Sequence, residues 1–336
     1  MKKVLSLLLI TAMLAAMLAG CGSVEIPEAT QGAISEFEDQ IEFLDEVDLG
    51  IIDIEDEAVA LADAPTAAIP TYLKCEASGT KTKKVGKAII DYSNTKDGYV
   101  MVQYTADTKL KLKAQVKGPT TTYTYNITPK KWVAFPFSDG KGEYTVAVFE
   151  NVTGTKYANV VSQKMTVEMT DEFAPFVRPN QYVDYDAAPN TVAKAQEICK
   201  DSKTVLDKVA AVYKFVVNNF TYDTELAKTV QSGYLPVLDT VLEKKKGICF
   251  DYAATMTGML RSQGVPCKLV IGYAGTAYHA WISVYSEGEG WINSAIFFNG
   301  TTWQRMDPTF ASSGKESAEV LKYIGDGNNY TAKYFY

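Results

Sequence analysis

Two residues frame the chemistry open to this chain. His279 is the only histidine among 336 residues, and Cys249 stands thirty positions before it, two after Gly247, in "GICFDYAATMTGMLRSQG". A thiol becomes a nucleophile as its thiolate, and an imidazole that takes up protons near neutral pH can accept the thiol proton and return it to a departing amine. Such an imidazole needs a third group to fix its tautomer and orientation. Downstream, "TTWQRMDPTF" offers Asp307; Asn293, in the stretch between, is the next candidate for that role. Taken together, a cysteine, a histidine and a carboxylate point to acyl transfer through a thioester. Each residue alone has a blander reading, since a lone buried cysteine or a histidine beside a tryptophan usually only fills space.

The sequence offers little to support other chemistries. It has no Cys-x-x-Cys pair, histidine cluster, phosphate-binding loop or dinucleotide fingerprint, so no metal and no cofactor is expected, nor is nucleic acid expected as a partner.

The elements that must position these residues can be read outward from them. Ala253, Met256, Met259 and Leu260 recur at helical spacing and Gly264 follows as a stop, which predicts a helix over 250–263 with Cys249 at its N-terminus. Unpaired N–H groups there favour a thiolate and can hold an oxyanion. "CKLVIGYA" and "AYHAWISVYS" read as strands, so His279 comes from a sheet beside that helix. Trp303, Arg305 and Asp307 share one face of a short strand that could neighbour the histidine strand, and "EGEGWINSAIFFNG" reads as an extra hairpin between them. Upstream, helices are predicted over "NTVAKAQEICKDSKTVLDKVAAVYKFVVNNF" and "LPVLDTVLEKKK", with Cys199 as a small buried hydrophobe.

"GICFDYAATMTGMLRSQGVPCKLVIGY", "YHAWISVY" and "WQRMDPTF" together resemble the transglutaminase-like domain of bacterial proteins. The resemblance implies a papain-like α+β fold over roughly 195–312 and assigns Cys249, His279 and Asp307 as catalytic triad. It further implies a polar or aromatic side chain ahead of the nucleophile helix as second oxyanion donor; Tyr234 is the candidate, with Tyr222 next.

From about Lys84 to Met169, short alternating runs such as "GYVMVQYT", "TYTYNIT" and "EYTVAVFEN" are separated by "TKDG", "SDGKG" and "TGTK". They predict an all-β, sandwich-like unit without chemistry of its own, a spacer or binding module. Lys109, Lys111, Lys113 and Lys117 are expected on one solvated strand face.

At the N-terminus, Lys2 and Lys3 precede an apolar run that closes with Leu18-Ala19-Gly20-Cys21. That pattern looks like a lipobox, in which Cys21 carries the lipid and the preceding peptide is removed. Val4 to Leu73 holds no Lys or Arg and 14 acidic residues, the composition of a self-repelling tether. The expected organisation is therefore a signal peptide (1–20), an acidic linker (21–73), the sandwich-like domain (74–170), a connection (171–190) and the α+β, papain-like domain (191–336). With Cys21 acylated and Cys249 free, Cys75, Cys199 and Cys267 leave room for at most one disulfide.

The expected protein is a bacterial cysteine acyl-transfer enzyme, lipid-anchored at the outer face of the cytoplasmic membrane or the cell surface. Protein or peptide amides, including cell-wall or surface proteins, are its expected substrates. Hydrolysis as a peptidase or amidase is the first reading, and cross-linking as a transglutaminase the second. A non-catalytic surface binding protein is the alternative from another class.

Overall fold

In the computed structural model, residues 42–44, 72–275, 277–287, 290–293, 296–298, 303–305 and 330–336 are described. Fourteen strands concern us. Eight form the N-terminal part: β1 (Thr82–Val85), β2 (Ala88–Asp91), β3 (Tyr99–Tyr104), β4 (Leu112–Lys117), β5 (Thr122–Asn126), β6 (Trp132–Pro136), β7 (Gly142–Thr153) and β8 (Lys156–Val167). They make two antiparallel sheets, β1-β2-β3-β6 and β8-β7-β4-β5. Alternation explains the pairing of faces: Val100, Val102 and Tyr104 of β3, Ala114 and Val116 of β4, and Tyr123 and Tyr125 of β5 all turn into one core. Glu42–Leu44, from the acidic stretch, pairs parallel along β8.

The lysine face departs from expectation. Lys113 is 8 % exposed and its ammonium lies 6.0 Å from the Tyr157 ring centre, because β4 is flanked on both sides, by β7 and β5. Lys109 and Lys111 precede that strand, and Lys117 at its end is exposed.

The second part opens with α1 (Pro189–Cys199), α2 (Val205–Asn219), α3 (Thr224–Thr229), α4 (Leu238–Lys244) and α5 (Cys249–Ser262). Thr204 and Asp207 close a reciprocal capping box at the start of α2, a strong local stop for the preceding turn. Then come β9 (Cys267–Ala274), β10 (Ala277–Ser286), β11 (Gly290–Asn293), β12 (Ile296–Phe298), β13 (Trp303–Arg305) and β14 (Tyr330–Phe335). An antiparallel sheet runs β11-β10-β9-β14, while β12 pairs with β13.

The periodicity of α5 predicts one apolar stripe, yet all fourteen of its residues are buried. It is the central helix, contacted by α1, α2 and α4 and by β9 and β10. A helix enclosed on all sides needs partners for its polar groups. Arg261 shows how this is met: its guanidinium donates to the carbonyls of Cys267 at 2.7 Å, Arg178 at 2.8 Å and Tyr336 at 2.5 Å. Burial pulls its pKa down to about 10. One side chain thus ties the end of α5 to the start of β9, to residue 178, and to the C-terminal strand.

The stretch 171–190 is packed, not strung out. Val183 and Tyr185 are fully buried, and the apolar core runs without a break from the sandwich to α5 and β9. Aromatic rings close the seam: Tyr182 meets Tyr125 at 5.6 Å, Phe250 at 5.4 Å and Tyr336 at 4.4 Å. Cys75, Cys199, Cys249 and Cys267 are all free thiols, and Cys199 is 6 % exposed in the helical core.

Candidate active site

Cys249 is the first residue of α5, 2 % exposed. The loop ahead of it is held by neighbours. Thr221 N–H donates to Lys245 O at 2.9 Å and Asp223 N–H to Gly247 O at 2.8 Å, so Tyr222 lies beside Gly247 in a two-residue parallel ladder. Gly247 is required by crowding: a Cβ there would sit 2.5 Å from the Cβ of Asp251. The missing side chain lets the Asp251 carboxylate fold back over the helix start. Its Oδ2 accepts from Ile248 N–H at 2.8 Å and its Oδ1 from the Tyr234 hydroxyl at 2.7 Å.

Asp251 is fully buried. Burial lifts its pKa to about 6, against the two hydrogen bonds, which pull it down. The same pair of effects reaches Tyr234: burial first, then the Asp251 charge and hydrogen bond, hold its phenol far above the ordinary range. Tyr234 has one O–H hydrogen, and here it goes to Asp251, so as arranged this tyrosine braces the helix start.

His279 lies on β10, across from Gly272 of β9, and is 1 % exposed. It alternates with the core residues Tyr278 and Ala280 and shares its face with Trp281, whose ring stacks near-parallel at 6.2 Å. Tyr330 of β14 closes the group, 6.3 Å from the imidazole and 5.2 Å from the indole. Gly272 is the condition for this wall: a Cβ would lie 2.1 Å from Thr331 O and 2.8 Å from the Trp281 ring. The strands β9 and β14 shift register there.

The structure therefore brings the two elements together, α5 with the thiol at its first turn and β10 with the imidazole, packed against one another. Asp307 lies outside the described residues. The strand before it, β13, pairs with β12, and β10 is flanked by β9 and β11. The expected extra hairpin is thus split, with β11 extending the histidine sheet and β12 turning onto β13. The backbone of Asn293 pairs with Ser283, four residues or about 13 Å along the strand from His279.

Asp251, Gly272 and Tyr330 escaped the sequence reading. Asp251 had a readable signal, an acid at the third helical position behind a close-packed glycine; Tyr330 had none, since its strand is placed by distant partners. Among the described residues no group of three or more His, Cys, Asp or Glu side chains is placed to hold a metal ion, and no helix is long and apolar enough to cross a membrane.

Comparison with known proteins places this arrangement. The model of the transglutaminase-like superfamily matches residues 192–308, the stretch holding α1 to β13 with Cys249 and His279. Over that stretch the chain is similar to a transglutaminase-like domain. Bacillus subtilis YebA, an uncharacterized protein, is 25 % identical over 178 residues, 47 % of this chain and 24 % of that protein. A protein-glutamine gamma-glutamyltransferase of Pseudomonas aeruginosa is 23 % identical over 134 residues, 36 % of this chain and 18 % of its own length. The chain thus spans under a quarter of either relative. The crystal structure of a proposed cysteine protease from Cytophaga hutchinsonii aligns over 71 % of this chain and 76 % of that one, with 14 % identity and a TM-score of 0.36. The transglutaminase-like fold, with a β-rich region ahead of the helical part, is the α+β arrangement read from the sequence.

Proposed function

We infer that the protein is a cysteine acyl-transfer enzyme acting on protein or peptide amides. One observation carries this reading: the chain's single histidine sits on the strand packed against the helix that begins with Cys249, within the transglutaminase-like match. In the proposed reaction the Cys249 sulfur attacks a carboxamide or peptide carbonyl while His279 takes the thiol proton. The tetrahedral oxyanion is held by N–H groups at the start of α5, which have no acceptor within the helix. Collapse breaks the C–N bond, His279 protonates the departing amine, and a thioester remains. Asp307 is the proposed orienting carboxylate for His279.

Water as second acceptor makes the enzyme a peptidase or amidase, which we place first because water needs no dedicated subsite. A lysine amine as acceptor makes it a cross-linking transglutaminase; the name of the Pseudomonas relative favours this second reading. Tethering through a lipid on Cys21 would put the reaction on the outer side of a bacterial membrane, and the lipobox-like tetrapeptide supports it.

The test is ammonia release from a glutamine-containing peptide by the full chain, with and without an added primary amine. Release without incorporation of the amine identifies an amidase, and incorporation a transglutaminase. Cys249→Ala and His279→Ala should each abolish turnover with the fold kept, and Asp307→Asn should lower it by about one to several orders of magnitude. Substantial turnover in either of the first two variants removes the assignment. Equal, slow iodoacetamide labelling of Cys249 in the wild type and in His279→Ala would instead favour a binding protein built on the same scaffold.

A further inference from the structure

Away from Cys249, a groove of about 500 Å³ runs between the sandwich and the helical part. One wall is β6, the outer strand of its sheet. Phe137 N–H donates to Gly98 O at 2.9 Å, and bonded and non-bonded pairs alternate along an antiparallel ladder. Phe135 and Val133 therefore turn their backbone groups toward β3, and Ala134 and Trp132 turn theirs to the free edge. Pro136, which has no N–H, stands at an outward position as that parity requires.

The opposite wall holds two side-chain amides with fixed orientations. Asn180 is 5 % exposed, and its Oδ1 accepts from the N–H groups of Tyr182 at 2.9 Å and Val183 at 3.1 Å. Gln181 donates through Nε2 to the Asn126 carbonyl. These bonds settle which amide atom is which, and leave Asn180 Nδ2 and Gln181 Oε1 buried without a partner among the described residues. Both residues line the groove, where a donor and an acceptor match the C=O and N–H of a peptide backbone, and an unmet buried polar atom is costly. The remaining lining mixes Thr128, Lys131, Asp184 and Asp186 with apolar side chains, of which Trp132 is 38 % and Val237 61 % exposed.

We propose that this groove binds an extended segment of a polypeptide substrate, which adds as a strand along the free edge of β6, is fixed by the Asn180 and Gln181 amides, and lays an apolar side chain on Trp132 and Val237. Strand addition satisfies backbone groups on an open sheet edge and takes its specificity from pockets for alternate side chains. The walls of the groove are tied to the first turn of α5: Leu235 of its lining follows Tyr234, whose hydroxyl is bonded to Asp251, and Tyr182, beside Gln181, packs edge-on against Phe250. The sandwich thereby becomes the part that selects proteins over small amides. This assignment rests on the acyl-transfer reading for its biological use, while binding is measured apart from turnover.

The experiment uses the full chain carrying Cys249→Ser and a fluorescein-labelled ten-residue peptide of alternating serine and valine around one glutamine, read by anisotropy. Saturable binding is expected. Alternate backbone N-methylation of the peptide, Ala134→Pro, which removes an outward N–H and leaves the ladder to β3 intact, and Asn180→Asp, which keeps the accepted bonds and removes the donor, should each weaken it by about tenfold. In the enzyme with its thiol restored, Ala134→Pro should raise KM for the peptide and leave kcat for a small glutamine amide unchanged. No saturable binding, or wild-type affinity in both variants, overturns the groove, and an undiminished affinity of the N-methylated peptide overturns strand addition. Much tighter binding after removal of residues 21–71 would show the chain's own segment to be the occupant and overturn the substrate assignment. Binding as described in a protein whose restored thiol turns nothing over sinks the acyl-transfer reading alone.

Discussion

Asp251 gives the most quantitative handle on the site. Its carboxyl is fully buried, three residues into α5, and its pKa rises from 3.8 to about 6 because burial outweighs the hydrogen bonds from Tyr234 and Ile248. A displacement of that size corresponds to roughly 3 kcal/mol. Since the folded value lies above the unfolded one, the folded chain binds the extra proton in the window between them. The associated stability is full below about pH 4 and is lost as pH rises through about 6. Asp251→Asn has nearly the same shape, accepts one of the two bonds through its remaining oxygen and does not ionise. Urea unfolding followed by circular dichroism at a series of pH values from about 4 to 8, on both proteins at fixed ionic strength, should give curves whose difference changes by roughly 3 kcal/mol in favour of the variant. Every other titrating group is common to the two, so the difference isolates this carboxyl. Curves that stay parallel across the window would refute the reasoning.

Tyr234→Phe withdraws a donor from that buried carboxylate and should cost about 1–3 kcal/mol at neutral pH, read as a lower urea midpoint; an unchanged midpoint with a turnover loss of about a hundredfold or more would make Tyr234 an oxyanion donor instead. Arg261→Met leaves the carbonyls of Cys267, Arg178 and Tyr336 without their shared donor and should destabilise by about 3 kcal/mol or more, with hydrogen exchange rising first in β14; a small, uniform effect would show that β14 is held by its ladder alone. Cys21→Ala should block maturation or release the protein from membranes, and normal processing with unchanged membrane retention would remove the proposed lipid anchor.

The sequence made the elements of the site legible where local signals were strong. Gly247 before Cys249, Gly264 after Ser262 and the alternation in "AYHAWISVYS" placed α5 and β10 within a residue or so of their observed ends. It was less informative where tertiary contacts decide. Spacing cannot tell a helix with one apolar face from one enclosed on every side, because Thr255, Thr257 and Arg261 read as surface residues until three carbonyls from three separate segments are seen around the guanidinium. Lys113 was misjudged for the same reason: alternation gives the face, and only the neighbouring strands decide whether that face is wet. Nothing near Tyr330 in the sequence announces that β14 will lie antiparallel to β9 beside His279, since that pairing closes over some sixty residues of chain.

The same contacts explain why a charge is kept where it costs stability. A nucleophile at a helix N-terminus is useful only if the first turn holds its shape, and helix ends fray unless their N–H groups are satisfied. Ile248 cannot cap with its own side chain, so the carboxylate of Asp251 does so from within the helix, and Gly247 clears the space for it. An ionised acceptor makes the stronger bond, and Tyr234 takes the second oxygen, which joins the start of α5 to the wall of the peptide groove. The packing of α5 on every side offsets the desolvation of that one carboxylate, and the free energy given up at neutral pH goes into fixing the backbone from which Cys249 projects.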